Sequence, residues 1–450
     1  MSTQPNVLLV TIDSLRADHV YTDLAETHTF DSLAESGTAF DSAFAQGPYT
    51  TFSMPSMFTS KYPSQLTSID FVEDVEGVLV EGESTIPQRL AAAGYTTAGV
   101  HTNPLLSELF GFDVGFDHFD DGLGGLSDRL PGRFALLADK VGRLMRRHPY
   151  VPADTLTDRA IEWLRTNDAE PFFLWVHYMD PHGPYQSREG FQYLEKYRAE
   201  ALWRKAVHSP DDVGQEERHR LQETYVEEVE LTDRAISRLL DSFGDAVGNR
   251  ESMTVLTADH GDEFYEHGSY SHESKLYDEL LHVPLIVDPP STGTIDRDPT
   301  ALTPILDVAP TILDVAGASL DGLAGTSLFE TSSTRPWEED EEAPDDRESA
   351  EGTLDEPAVI SEARLEPAYA GAIRTPTWKY IDDDGNRELY DLETDTGESE
   401  NVLSEHDDLA TRFASVLALH RERNGGERRD AEHLSSDELD AQLRSLGYLE

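Results

Sequence analysis

An adjacent carboxylate and imidazole, Asp259-His260, end the β-branched and apolar run Thr254-Val-Leu-Thr-Ala258 and lead into Gly261. A strand end is rigid and a glycine turn opens space beside it. One carboxylate oxygen and one imidazole nitrogen can therefore converge there on a single divalent cation. Alone, an Asp-His-Gly tripeptide is an ordinary loop. A second run of the same kind, Asn6-Val-Leu-Leu-Val-Thr-Ile12, also ends on a carboxylate, Asp13. Two buried-strand patterns that each deliver an acid at the carboxyl end point to the edge of an open α/β sheet, where ligands collect.

Several elements must hold these groups in place. Continuously apolar runs at residues 7–12, 172–176, 253–257 and 284–287 read as strands covered on both faces, the pattern of a parallel sheet. Helical patterns lie between them. Residues 84–93 end at Gly94, and 154–166 open with Asp154 as a capping residue. Residues 216–243 place Leu221, Tyr225, Val229, Ile236, Leu239 and Leu240 on one stripe. The alternation predicts an α/β fold with a doubly wound, mostly parallel sheet over residues 1–330. Residues 331–357 are polar and acidic, including the cluster at 338–342, and read as a linker or loop. From 358 to 450 order resumes as a small antiparallel sheet subdomain. Gly371-Ala-Ile373, Trp378-Lys-Tyr-Ile381 and Glu388-Leu-Tyr-Asp-Leu392 alternate around a turn at 382–386, with helices expected at 408–423 and 436–445.

Composition narrows the function. The chain has 450 residues, with 35 Lys and Arg against 88 Asp and Glu, a formal net charge of −53. So acidic a surface argues against nucleic acid, whose phosphates need basic partners. The acids are spread along the chain and lysine is scarce beside arginine, as in proteins of salt-loving organisms. At roughly 1 M salt the Debye length is about 3 Å, which screens such self-repulsion. There are no cysteines, hence no disulfide and no thiol nucleophile. No basic, apolar leader precedes the first strand, and no apolar run approaches the ~20 residues of a membrane helix. A cytoplasmic protein without a membrane anchor is expected.

These segments, with others in order along the chain, resemble the sulfatase family of the alkaline phosphatase superfamily. The others are Gly94-Tyr-Thr-Thr-Ala98, Gly115-Phe-Asp-His-Phe119, Pro171-Phe-Phe-Leu-Trp-Val-His-Tyr-Met-Asp-Pro-His-Gly-Pro-Tyr185, Val283-Pro-Leu-Ile286, Asp307-Val-Ala-Pro-Thr-Ile-Leu313 and Glu388-Leu-Tyr-Asp-Leu392. The resemblance implies an alkaline-phosphatase-like fold and a hydroxyl nucleophile on one divalent metal. In Gly47-Pro-Tyr-Thr-Thr-Phe-Ser-Met-Pro-Ser-Met-Phe-Thr-Ser-Lys-Tyr-Pro63 two registers compete. Ser53-Met-Pro-Ser-Met57 keeps part of the formylglycine signature but has Met57 for its Arg. Anchoring on Thr59-Ser-Lys-Tyr-Pro63 puts Thr50 at the nucleophile, with Met54 for the Arg, and is similar to the phosphoethanolamine transferases. Thr50 is preferred, with Ser53 and Thr51 as alternatives; the plain reading is that these hydroxyls cap the helix beginning here.

By the same resemblance Asp13, Thr50, Asp259 and His260 hold the metal. His260 stands where sulfatases have Asn, and Ser14 where they have a second acid, which shifts the preference from Ca²⁺ toward Zn²⁺ or Mn²⁺. His182 and His272 match histidines that contact the transferred group, and Lys275 lies near them. His177 is read as a structural histidine, and a second metal on His177, Asp180 and His182 is not expected. The family's Gly-Lys-x-His stretch is replaced by His101-Thr-Asn-Pro104, where His101 or Asn103 are substitutes. Asp262, Glu263 and Glu266 are read as supporting or surface residues. The expected activity is hydrolysis of a phosphate or sulfate ester on a small molecule, glycan or lipid headgroup. The alternatives are a soluble phosphoryl or substituted-phosphoryl transferase, a formylglycine sulfatase using Ser53, and an inactive binding homologue. Specificity is assigned to the loops 105–149 and 186–214.

Overall fold

The computed structural model describes residues 4–72, 75–80, 82–122, 151–185, 193–330, 354, 356–365 and 368–424. Its centre is β1 (Asn6–Ile12), whose seven residues are all buried, as a continuously apolar strand requires. β7 (Phe172–Tyr178) and β8 (Ser252–Ala258) flank β1 in parallel. Beyond β7 lie β5 (Thr96–Val100) and β6 (His118–Asp120), also parallel. Beyond β8 the sheet continues through β11 (His282–Asp288), β2 (Thr38–Phe44) and β12 (Thr303–Pro304), making eight strands in the order β12-β2-β11-β8-β1-β7-β5-β6. β3 (Thr67–Val72) and β4 (Val75–Leu79) form a separate hairpin, and β9 (Glu263–Phe264) pairs with β10 (Tyr270–Ser271).

β11 departs from the parallel pattern. It runs antiparallel to both β8 and β2. The chain returns from β8 through the β9–β10 ladder and one short helix, Asp278–Leu281. A parallel return needs a crossover of a dozen or more residues, usually an α-helix, and this connection carries no long one.

The helices close on the sheet much as their patterns predict. Helix Gln215–Val247 buries Leu221, Tyr225, Val229, Ile236 and Leu239, while Leu240 is only half-buried. The same face also buries Asp233, whose carboxylate accepts from Thr29 N and Phe30 N at 3.0–3.1 Å and so caps helix His28–Ser36. Helix Ala153–Thr166 is not capped by Asp154. Asp180 Oδ2 instead takes its first amide, Ala153 N, at 2.7 Å, and Asp154 pairs with Arg238 at 3.1 Å. The cap comes from β7's end because that strand terminates against the helix start, a neighbour that local sequence does not reveal.

The C-terminal strands β13 (Val359–Arg364), β14 (Ala370–Arg374), β15 (Trp378–Asp383) and β16 (Asn386–Asp391) form an antiparallel sheet in chain order. The β15–β16 turn uses Asp384 and Gly385 at φ 49° and 87°, a conformation suited to Asp and Gly. Helix Asp407–Asn424 covers this sheet, with Phe413 stacked on Tyr380 at 5.8 Å. Ser361 Oγ donates to Ala45 O at 2.6 Å, and Glu362 accepts from Ser64 N at 2.8 Å, tying the sheet to the main domain. The expected helix at 436–445, the acidic cluster at 338–342 and most of the 331–357 segment lie outside the described residues.

Candidate functional site

Register assembles the site. Ile12 is level with Ala258 on one side and Tyr178 on the other, so the next residues, Asp13 and Asp259, emerge side by side at the carboxyl ends of β1 and β8. His177 sits one row back on β7, opposite Thr11. Val100 pairs with Val176, so His101 follows β5 at the level of His177. A hydroxyl group arrives from a helix: Thr50 opens helix Thr50–Thr59 after the extended Tyr49, and Gly47 lets that turn pass close to Phe52 and Glu362, where a Cβ would lie 2.5 Å from Phe52 Cβ.

Thr50 Oγ1 donates to Asp259 Oδ2 at 2.9 Å and lies 3.4 Å from Asp13 Oδ2 and 3.5 Å from His260 Nε2. It makes no helix cap. Ser53, one turn on, donates to the backbone carbonyl of Asp259 at 2.5 Å, so its hydroxyl braces the strand end instead of joining the carboxylates. Thr51 is buried in the same turn. His260 Nδ1 meets Gly261 O at 2.8 Å; the N–H belongs on that nitrogen, which leaves the lone pair on Nε2. That Nε2 is 3.6 Å from Asp13 Oδ1 and 3.7 Å from Asp259 Oδ2. Asn103 donates to Asp13 Oδ2 at 2.9 Å, and Ser14 Oγ donates to Asp13 Oδ1 at 3.1 Å. Ser14 holds φ at 60°, a strained value for serine, and its carbonyl is pinned by Tyr225 Oη at 2.7 Å.

His177, read from the sequence as a structural histidine, faces this cluster. Its Nε2 lies 3.6 Å from Asp13 Oδ2 without a hydrogen-bond partner, and Asp13, His177 and Asp259 offer ligand atoms within 4.8 Å of one another. The signal was a histidine inside an otherwise apolar, fully buried strand; which neighbour it would face depends on the register with β1. His101 stacks on Trp175 at 5.2 Å and is wholly buried. Asp180 Oδ2 accepts from Ala153 N at 2.7 Å.

Electrostatics explain why these groups fit a cation. Two carboxylates this deep cannot both ionise without a counter-charge. Burial and the charge of Asp13 push Asp259 well above the carboxylate range. Asp13 is also buried, yet His182, His177 and His260 hold it well below that range. Burial, with His272 nearby, pushes His260 down to about 3, against the pull of Asp13. Metal–ligand bonds of about 2.0–2.3 Å set neighbouring donors some 3–4 Å apart. The 3.4–3.7 Å gaps among Asp13, Thr50, His260 and His177 are of that size, too long for good hydrogen bonds.

The rim carries the remaining residues. His182 Nδ1 meets Gly183 O at 2.7 Å, and burial lowers its pKa against the pull of Asp13. His272 lies between His260 and His182, with ring centroids 4.7 and 4.8 Å away. Burial alone would lower the pKa of His272, but Asp262 raises it. Lys275 is turned elsewhere: its Nζ donates to Glu263 Oε2 at 2.9 Å, His267 O at 2.9 Å and Ser269 Oγ at 2.6 Å. Glu263 is wholly buried, and Glu266 pairs with Arg16 at 2.7 Å.

Comparison with known proteins places the chain in a family. A family model described as Sulfatase matches residues 5–318. Iduronate 2-sulfatase of Homo sapiens is 27% identical over 380 residues, covering 72% of this chain and 68% of the relative. A delta 4,5-hexuronate-2-O-sulfatase of Bacteroides thetaiotaomicron is 27% identical over 200 residues, 42% of this chain and only 37% of the relative. Among solved structures, a phosphonate monoester hydrolase from Silicibacter pomeroyi superposes with a TM-score of 0.68 at 19% identity, over 94% of this chain and 96% of the other, a likeness of fold.

Proposed function

The chain belongs to the sulfatase family and is an enzyme of that metal-dependent kind; on that premise we propose that it hydrolyses phosphate or sulfate esters with Thr50 as the nucleophile. One observation carries this reading: Thr50 Oγ1 stands at the helix start 2.9 Å from Asp259 and 3.4 Å from Asp13. Ser53, its rival, is committed to a backbone carbonyl.

Asp13, Asp259, His260, His177 and the Thr50 hydroxyl would hold one divalent ion. Two carboxylates with imidazole nitrogens favour Zn²⁺ or Mn²⁺ over Ca²⁺. Such an ion supplies Lewis-acid stabilisation of the charge that develops on the transferred group. The protein does the rest. Thr50 Oγ1 attacks phosphorus or sulfur and its proton passes to Asp259 Oδ2, the oxygen it already touches, whose carboxylate the ion's charge would keep ionised. The ester bond to the leaving oxygen breaks, and His272 donates a proton to that oxygen. A threonine has one side-chain oxygen, so the attached group leaves by a second displacement, with water as acceptor. That limit suits phosphoryl transfer better than the elimination open to a formylglycine hydrate. Lys275, held by Glu263, supports the rim through the β9–β10 ladder.

The test is a turnover panel in molar potassium chloride, comparing aryl phosphate monoester, diester and sulfate with Mn²⁺, Zn²⁺ or Ca²⁺. Thr50→Ala is expected to lose at least ~10³-fold in kcat, the scale of nucleophile removal, while Ser53→Ala keeps most activity. Sulfate turnover that survives Thr50→Ala and disappears in Ser53→Ala would assign the nucleophile to Ser53.

A further inference from the structure

We propose that Asp262 is a positioning residue for His272, holding its imidazole with Nδ1 inward so that Nε2 is presented to the leaving oxygen of the ester. This rests on the reading of His272 as a proton donor. Asp262 is wholly buried two residues beyond His260. Its Oδ2 accepts the Tyr185 hydroxyl, and Tyr185 is clamped by the rings of Trp203, Tyr225 and Phe264 at 4.7, 5.3 and 5.6 Å. The carboxylate is thus fixed from one side. Its other oxygen, Oδ1, has no hydrogen bond and faces His272 Nδ1 at 3.5 Å. A buried carboxylate oxygen left unpartnered is costly, and the imidazole N–H is the donor beside it. The Arg16 guanidinium meets the Asp262 backbone carbonyl at 3.1 Å and is committed to Asp18 and Glu266.

His272 is the partner that chemistry would need oriented. It is 16% exposed where Asp262 is 0%, so it stands between a buried anchor and the open side of the site. Ser271, at φ 74°, turns the chain there, and its Oγ lies 3.2 Å from the same Nδ1. Carboxylate and hydroxyl therefore address one nitrogen, which leaves Nε2 to meet a ligand. In the reaction, the Nε2 proton moves to the leaving oxygen as its bond to phosphorus or sulfur breaks. The Nδ1 proton stays in place, and Asp262 neither gains nor loses one.

The experiment measures kcat/KM for aryl and alkyl esters of graded leaving-group acidity, with metal content determined for every variant. His272→Ala should lose far more on alkyl than on nitrophenyl esters. Asp262→Asn should show the same slope with a smaller loss, ~10–100-fold on the alkyl ester, at unchanged metal content. The double variant should be no worse than His272→Ala alone. Asp262→Glu, which keeps the charge, should return toward the wild-type slope, and Asp262→Ser serves if the Asn variant does not fold. Equal loss on all esters, loss of metal, or losses that multiply in the double variant would overturn the positioning role. Tyr185→Phe keeps the carboxylate and should keep most of the slope; if it reproduces Asp262→Asn in full, Asp262 serves only to hold Tyr185. A flat leaving-group profile in His272→Ala itself would defeat the proton-donor reading instead, and the two failures are thereby distinct.

Discussion

Exchanging Asp259 for Asn keeps the volume of the side chain and removes the carboxylate that Thr50 touches. Metal per chain, measured by elemental analysis, should fall sharply, and turnover with it by about 10³-fold or more. His177→Ala is the sharper test, because the same residue reads as core from its strand and as ligand from its neighbours. Loss of a ligand or of its support costs at least about 10–100-fold in metal affinity. Unchanged affinity would return His177 to the core, held by Thr11 Oγ1 at 2.9 Å. Asn103 belongs to the same scale. Its amide sits on Asp13 Oδ2 while its own Oδ1 caps Leu105 N at 2.9 Å, so a single side chain fixes both the loop after β5 and the first carboxylate.

At the level of elements, the turn after β8 is held by packing against helix Asp278–Leu281. A Cβ on Gly261 would meet Glu279 O at 2.1 Å, so glycine is needed for close approach and not for an unusual φ. Gly261→Ala should cost about 1–3 kcal/mol in thermal or denaturant unfolding, the range for overpacking, and should displace His260 enough to lower turnover. The same segment carries a pH-dependent tie. His267 stacks on Tyr277 at 3.5 Å, bonds Glu279 Oε1 at 2.5 Å and reaches Glu398 O at 3.0 Å in the C-terminal part. Burial opposes its protonation, but Glu279 and Glu398 raise its pKa to about 9. A raised folded-state value means the stabilisation is complete below the unfolded value of about 6.5 and is lost as pH rises through 9. The stability advantage of wild type over His267→Gln, followed by thermal unfolding, should therefore shrink between pH 6.5 and 9.5. An advantage that stays constant over that window would leave the tie without a charged histidine.

For the whole molecule, 88 acids against 35 bases leave −53 charges whose repulsion depends on salt. The midpoint of thermal unfolding should rise between about 0.1 and 2 M potassium chloride, as the Debye length falls from ~10 Å toward ~3 Å and below. A midpoint that stays flat or falls would remove the salt-adapted reading. No helix among the described residues is long and apolar enough to cross a membrane. Buried charge also joins the C-terminal sheet to the body of the protein. Lys379, with no exposed surface, bonds Asp278 at 2.5 Å and Glu398 at 3.0 Å, and Arg374 meets Asp278 at 3.2 Å. Such pairs are screened far less by salt than surface ones. Lys379→Met should therefore destabilise the protein in high salt as well as low.

The strands that carry the site could be read from local sequence alone, because a continuously apolar run covered on both faces has few other uses. Asp13, Asp259 and His260 followed directly, since each ends such a run. The long helix at 215–247 was legible for the same reason, its stripe being a property of spacing. What spacing cannot supply is which strand lies beside which. His177 joined the cluster only through the register of β7 against β1. Asp262 acquired Tyr185 as a neighbour from a distant part of the chain and His272 through the fold of the β9–β10 ladder, and Asp180 became the cap of helix Ala153–Thr166 in place of Asp154. The antiparallel course of β11 was equally hidden, because the direction of a fully buried strand leaves no mark in its own residues. Local sequence determined the elements and the acids at their ends. Only the tertiary structure decided which imidazoles and hydroxyls those acids meet, because such contacts are made across hundreds of residues by pairing and packing.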